Sequence, residues 1–402
     1  MKLNRILAIV AGLLFVEFLA GGVWGIHRGL SSLFAKEALL ITSFTQIGLV
    51  VSVFGLTKAV TNLGLGALSD RVGRKPIILL GMVLSGLGGV IIASASSYIE
   101  MLVGTALIGL GGGGAFIGIM VSIIETVTST RIGLAMGLFE LAAYGGSSFG
   151  TALGGYLAVA EGLRYPFYII LALSAAGAAA GLFVIPETRP LKREKQKAST
   201  GLRGRYAATL RDLMPLCVAG FSSKIMDSLV WSFLPLLLVG LGMGIAEVVA
   251  VTSSFTFSWA LAQPLTGHIS DKLGRKRIIL IGLFTSAISI LPFMLTENFL
   301  LLLVLALALG VEMALFYTPL IAMVSDIAPP ELEGTLIGIY RFFRDMGYFV
   351  GPILLGEVAD AYGLNYAFYV ASLSLFIAMV VLYFSSKETL MRIVQEPKET
   401  VS

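Results

Sequence analysis

The sequence predicts an all-α membrane protein of twelve transmembrane helices, arranged as two pseudo-symmetric six-helix bundles. Three observations predict it: too few charges for a water-soluble surface, a series of apolar runs of membrane-crossing length, and a repeat of the whole pattern at an offset of 201 residues. Of 402 residues, 57% are hydrophobic and 13% are charged. A soluble protein carries roughly 25% charged residues. The mean hydropathy is +0.92, so the solvent around most of the chain must be lipid.

A helix crosses about 30 Å of hydrocarbon with about 20 residues. Spans are expected at 6–30, 43–69, 77–97, 100–125, 132–158, 165–186, 212–240, 246–270, 278–296, 299–325, 333–358 and 364–386. Helices are required because lipid offers no water to unpaired backbone groups. The first apolar run, from Ile6 to Ile26, follows the basic start Lys2 to Arg5. It is too long for the apolar region of a signal peptide, about 7–15 residues, and is read as a span.

Lysine and arginine set the orientation, because they collect in cytoplasmic loops. Twenty-one of the 28 basic residues fall in the termini and in the loops on the same side as the termini. Arg28, Lys36 and Arg164 are expected on the other side. Both termini are therefore expected in the cytoplasm, with the chain in the cytoplasmic membrane. The domains read as an N-terminal bundle (1–186), a basic linker (187–211), a C-terminal bundle (212–386) and a tail (387–402). The linker is a solvated connector or a strip resting on anionic lipid. A net charge of +4 gives no reason to expect nucleic acid as a partner. One cysteine, Cys217, excludes an intrachain disulfide, and two histidines make no metal cluster.

The repeat is visible residue by residue. Gly66-Ala67-Leu68-Ser69-Asp70-Arg71-Val72-Gly73-Arg74-Lys75 falls on Gly267-His268-Ile269-Ser270-Asp271-Lys272-Leu273-Gly274-Arg275-Lys276. Gly146 and Gly150 fall on Gly347 and Gly351, and Tyr165, Phe167 and Tyr168 on Tyr366, Phe368 and Tyr369. Two like-oriented bundles are the parallel-repeat plan of secondary transporters, which place the solute between the halves near the midplane.

The doubled Gly-x-x-x-Asp-Arg/Lys-x-Gly-Arg-Lys segment, after spans two and eight, resembles the signature loop of the major facilitator superfamily, over essentially the whole chain. The resemblance implies that these loops help to lock the cytoplasmic side, with Asp70, Arg71, Arg74, Asp271 and Arg275 as gate residues. Helix electrostatics supports the role: Asp70 would sit near the positive start of span eleven. Glu125 and Asp326, also 201 apart, end spans four and ten, where a carboxylate needs a cation, and Arg74 and Arg275 are the natural partners. The sequence departs from the family in two places. Thr105 stands where an arginine is common, four residues before Gly109, so proton coupling through that arginine is not implied. Gly146-x-x-x-Gly150-Thr151-x-x-Gly154-Gly155 is similar to an element of the family's exporters, with Thr151 in place of its proline. The same glycines also read as close helix packing.

Nine ionisable residues fall well inside the spans: Glu17, Lys58, Glu140, Lys224, Asp227, Glu312, Arg341, Arg344 and Asp345. Each costs about 2.5–3.5 kcal/mol at a helix centre unless paired or wetted. Lys224, Asp227 and Trp231 share one helix face, as do Glu17, Trp24 and Arg28. At the repeat offset Glu140 matches Arg341 and Tyr144 matches Asp345, which makes them candidate bridges across a central cavity. Permanent pairing inside each bundle is the alternative. Glu312, near the bilayer centre, is a candidate proton carrier or a carboxyl bonded to a neighbouring helix. Trp24, Tyr144, Trp231, Tyr317 and Tyr348 either line a partly apolar pocket or pack in the core.

No nucleotide-binding Gly-x-x-x-x-Gly-Lys-Ser/Thr element is present, and no catalytic constellation. The expectation is a non-enzymatic, monomeric carrier of a small solute, without cofactor, coupled to protons and exporting a drug or metabolite. Proton symport or facilitated uptake of an organic anion or sugar is the alternative. A non-transporting membrane sensor is the reading from another class.

Overall fold

The computed structural model describes residues 2–127, 132–186, 202–329 and 332–390. The described helices are α1 (Lys2–Leu33), α2 (Phe44–Val72), α3 (Arg74–Ser94), α4 (Tyr98–Thr126), α5 (Ile132–Glu161), α6 (Tyr165–Val184), α7 (Leu202–Ser232), α8 (Leu234–Gly240), α9 (Ile245–Leu273), α10 (Arg275–Ser289), α11 (Phe299–Ile327), α12 (Glu333–Tyr362) and α13 (Leu364–Ser385). They make twelve passages, because α7 and α8 form one, broken at Phe233. Pro235 in the first turn of α8 accounts for the break, since proline brings no N–H to the preceding turn. Among the described residues ten helical segments are long and apolar enough to cross a membrane. Helices α5 and α12, of 30 residues each, are also of membrane-crossing length, and both line the centre of the molecule.

Boundaries moved where caps and turns decide them. Helix α7 starts at Leu202, so it takes over the second half of the expected linker. The ninth passage ends in a 3₁₀ turn, Leu291–Met294, rather than a continuous helix. Helix α4 begins with a capping box in which Ser97 and Glu100 exchange bonds, and α11 is capped by Asn298. The joints α2–α3 and α9–α10 turn on Gly73 and Gly274, at φ +98° and +101°, values that an L side chain rarely adopts. The repeat therefore preserves two turns as well as two loops.

In the first bundle α1 packs on α5 and α3 on α4 and α6; in the second α9 packs on α11 and α12 on α7. Glycines set the closest approach. Gly21 and Gly25 of α1 face the backbone of Ala143 and Ser147, while Gly146 and Gly150 of α5 face Phe18 and Gly22. The exporter-like element thus serves as the α1–α5 contact in this chain, and Thr151 closes it with hydrogen bonds to the carbonyls of Gly25 (2.9 Å) and Ser147 (3.0 Å).

The bundles meet along α2–α12 and α5–α9. We call the end carrying the start of α1 and the residues around Glu388 the terminal side, and the opposite end the distal side. The halves close on the distal side. Gly48 abuts Pro352, Gly356 abuts Thr45 and Gly155 abuts Val249, and the Ser148 hydroxyl donates to the Ser253 carbonyl at 3.0 Å. Asp360, at the distal end of α12, accepts from the Phe44 N–H (2.7 Å), the Thr45 N–H (3.0 Å) and the Ser43 hydroxyl (2.8 Å). Its carboxylate thereby caps the first turn of α2, where the positive end of the helix dipole favours an anion.

Candidate functional site

Helices α1, α2, α4, α5, α7, α11 and α12 bring their polar faces to one cavity between the bundles. It is lined by Trp24, Arg28, Lys58, Phe116, Glu140, Ala143, Tyr144, Ser147, Lys224, Tyr317, Arg344, Asp345 and Tyr348. The free space at its centre is about 20 Å³, the room of about one water. The side chains therefore close on one another.

The ion pairs run along single helices. Lys224 Nζ lies 2.9 Å from Asp227, one turn away on α7, and Arg344 lies 2.7 Å from Asp345 on α12. Asp227 also accepts from Trp231 Nε1 at 2.6 Å and from the Tyr348 hydroxyl of α12, so both carboxylate oxygens are occupied. Links between the bundles are made by hydroxyls and rings. Lys224 donates to Tyr144 of α5 at 3.5 Å, and Tyr144 lies 4.4 Å from the Trp259 ring of α9, centroid to centroid.

The bridges expected from the repeat are not made in this arrangement. Among the described residues Glu140 and Arg341 form no ion pair. Arg341 points instead at the Met120 sulfur (3.1 Å) and the face of Phe116. Glu140 Oε2 is buried without a hydrogen-bond partner. The physical reason is that the Arg341 guanidinium is engaged on α4 instead. Among the described residues Glu17 forms no ion pair either. It is fully buried, and neither carboxyl oxygen has a partner.

Glu312 lies apart. It bonds to Ser289 of α10 at 2.6 Å and does not line the cavity, which is the neighbouring-helix alternative of the sequence reading. Arg28 moves the other way. Expected beyond the membrane surface, it is buried in the cavity because α1 continues to Leu33. Its guanidinium lies over Tyr348 (4.7 Å), Phe54 (5.2 Å) and Trp231 (5.7 Å). Lys58 sits on Trp24 at 4.0 Å and on Phe116 at 5.0 Å. Phe116 and Ser147 also escaped the sequence reading. The shared face of Glu17, Trp24 and Arg28 on one helix was the available signal for Arg28.

On the terminal side the two repeats make matching pairs. Arg74 Nη2 lies 3.1 Å from Glu125, and Arg275 pairs with Asp326 and, at 2.9 Å, with Asp271. Each ties the start of the third helix of its bundle to the end of the fourth. The side chains of Asp70 and Arg71 lie outside the described residues. In the second half Glu388 accepts from the N–H groups of Arg275 (2.9 Å) and Lys276 (3.1 Å), so the tail, not a loop, caps α10.

Twelve passages in two matching bundles around a charged central cavity define a carrier-type multi-pass membrane protein. The chain belongs to the Major Facilitator Superfamily, whose family profile matches residues 13–213 and 216–400. Among curated proteins it is 26% identical to the multidrug resistance protein MdtG of Proteus mirabilis over 341 residues, covering 83% of this chain and 84% of the relative. It is 27% identical to the inner membrane transport protein YajR of Escherichia coli, covering 80% and 71%. Among solved structures it superposes on a bacterial homologue of the human lysosomal transporter Spinster with a TM-score of 0.78, at 14% identity, covering 96% of this chain and 98% of that one. A nucleoside transporter, NupG, gives 0.79 at 15% identity, covering 94% and 100%.

Proposed function

We propose that this transporter is a secondary active carrier that moves a small solute through the central cavity by alternating access and exports it in exchange for protons. The carrying observation is the position of the cavity. Its charges lie where the two bundles meet, and the same bundles are in contact on the distal side along α2–α12 and α5–α9. Parting that contact while closing the terminal side would turn the site from one face of the membrane to the other. Export is supported by the relatives that carry the name multidrug resistance protein. Coupling to protons is supported by Glu17 and Glu140, whose buried, unpartnered oxygens are costly as charges and tolerable as neutral acids. In this reading the chain acts as a monomer in the cytoplasmic membrane, with both termini in the cytoplasm, an orientation that the distribution of basic residues supports. It works without a cofactor, and the Arg74–Glu125 and Arg275–Asp326 pairs belong to the cytoplasmic gate.

The test is proton flux in liposomes containing the purified protein and an internal pH dye. With a pH gradient imposed, a transported solute should accelerate its collapse, and Glu17→Gln should remove that acceleration. Solute movement without any proton movement would replace exchange by facilitated diffusion. Solute binding without movement would leave the sensor reading in its place. Uptake of an organic anion is the second reading, and the four basic side chains that line the cavity favour it.

A further inference from the structure

We infer that the solute is a small organic anion, a carboxylate or phosphate, whose charged group seats between Arg28 of α1 and Lys58 of α2. The inference rests on the carrier reading of the same cavity and adds the chemistry of what it carries.

Two cations in the cavity have no carboxylate within ion-pair distance, although Asp227 acts on Arg28 and Asp345 on Lys58 from farther off. The lining holds four basic side chains, Arg28, Lys58, Lys224 and Arg344, and two acidic ones, Glu140 and Asp345. Lys224 and Arg344 are paired along their own helices. Among the described residues neither Arg28 nor Lys58 forms an ion pair. Arg28 Nε is buried with no hydrogen-bond partner, its guanidinium being held otherwise by the Tyr348 hydroxyl, and among the described residues no hydrogen bond of the Lys58 ammonium is seen. Both line the cavity and lie over the same ring, Phe54, at 5.2 and 6.0 Å from its centroid. A buried cation without a counter-charge is unfavourable, and an entering anion supplies what is missing.

The aromatic rings argue in the same direction. Rings beside a cavity attract a cationic solute when their faces are free. Here they are covered by the protein's own cations. Lys58 lies over Trp24 and Phe116, Lys224 over Tyr317 and Tyr348, and Arg344 over Tyr317. A lipophilic cation would meet ring faces already occupied by cations. The anion's organic part meets the same rings at their edges, alongside Ser147 and Ala143.

All three tryptophans of the chain, Trp24, Trp231 and Trp259, contact this cluster, so intrinsic fluorescence reports it directly. The purified full-length protein is titrated with lactate, succinate, glycerol 3-phosphate, inorganic phosphate and tetrabutylammonium. A saturable change is expected with at least one organic anion and none with tetrabutylammonium. Carboxylate and phosphate arms separate the two headgroups, and a response to inorganic phosphate alone means an adventitious ion only and overturns the assignment. Arg28→Gln and Lys58→Gln should each weaken binding at least tenfold, and Lys58→Arg should restore most of it. Binding of tetrabutylammonium without any anion, no response to any anion, or undiminished binding in both glutamine variants overturns the inference. Counterflow of the bound anion in liposomes separates the two readings: binding without flux refutes the carrier and leaves the anion site standing.

Discussion

Replacing Asp360 with alanine removes the carboxylate that holds the distal start of α2 against α12. Three donors lose their acceptor: the Phe44 and Thr45 N–H groups and the Ser43 hydroxyl. Buried bonds to a charged acceptor contribute about 1.5–3 kcal/mol each. Asp360 is exposed, water replaces part of what is lost, and Ser43 still accepts from the Gln46 N–H at 3.3 Å. The change therefore belongs with helix-cap substitutions, about 1 kcal/mol. That weakens distal closure roughly fivefold, since 1.4 kcal/mol is tenfold. Spin labels at Ile99 and Tyr362, both exposed at distal helix ends of opposite bundles, measure it in a Cys217→Ser background by double electron–electron resonance. The long-distance population should rise about fivefold relative to the closed one. An unchanged distribution would refute the latch. Burial pushes the Asp360 carboxyl up, but the bonds from Thr45, Ser43 and Phe44 outweigh it and hold the carboxyl below its ordinary value. A lowered folded value means that the latch is complete above the ordinary carboxylate range and is lost as pH falls through the lowered value. Neutral pH changes should leave it intact, and acid should mimic the alanine variant.

Asp227→Ala leaves Lys224 buried without its carboxylate, a cost of about 3–5 kcal/mol. Thermal unfolding in detergent should drop sharply, and Lys224→Met combined with Asp227→Leu should recover much of the stability but not solute movement. Gly25→Ala drives a methyl into the Ser147 carbonyl of α5 and should cost about 1–3 kcal/mol as overpacking. Gly137→Ala, with nothing within 4 Å of the added methyl, is its control and should unfold like the parent. Glu312→Gln should leave proton-driven flux in liposomes unchanged, because Glu312 bonds to Ser289 of α10 outside the cavity; lost coupling would return it to the proton path.

The sequence by itself determined the twelve passages, the two bundles and the terminal-side pairs. Hydropathy and repetition are local or periodic properties, so they can be read along the chain. Arg74–Glu125 and Arg275–Asp326 were legible because the same pair recurs at the same offset. The tertiary structure alone decided which charges meet. Glu140 and Arg341 match in the repeat yet do not pair, because Arg341 of α12 turns to Met120 and Phe116 of α4. Glu312 and Glu17 are both acids deep in spans, but helix rotation turns one toward α10 and buries the other beside the cavity. Arg28 was assigned to a loop until the length of α1 carried it inward, and Asp360 acquires a role only when α12 meets the start of α2, 315–317 residues away in sequence. A repeat fixes where a residue sits within its bundle, whereas its partners across the interface depend on how the two bundles are docked.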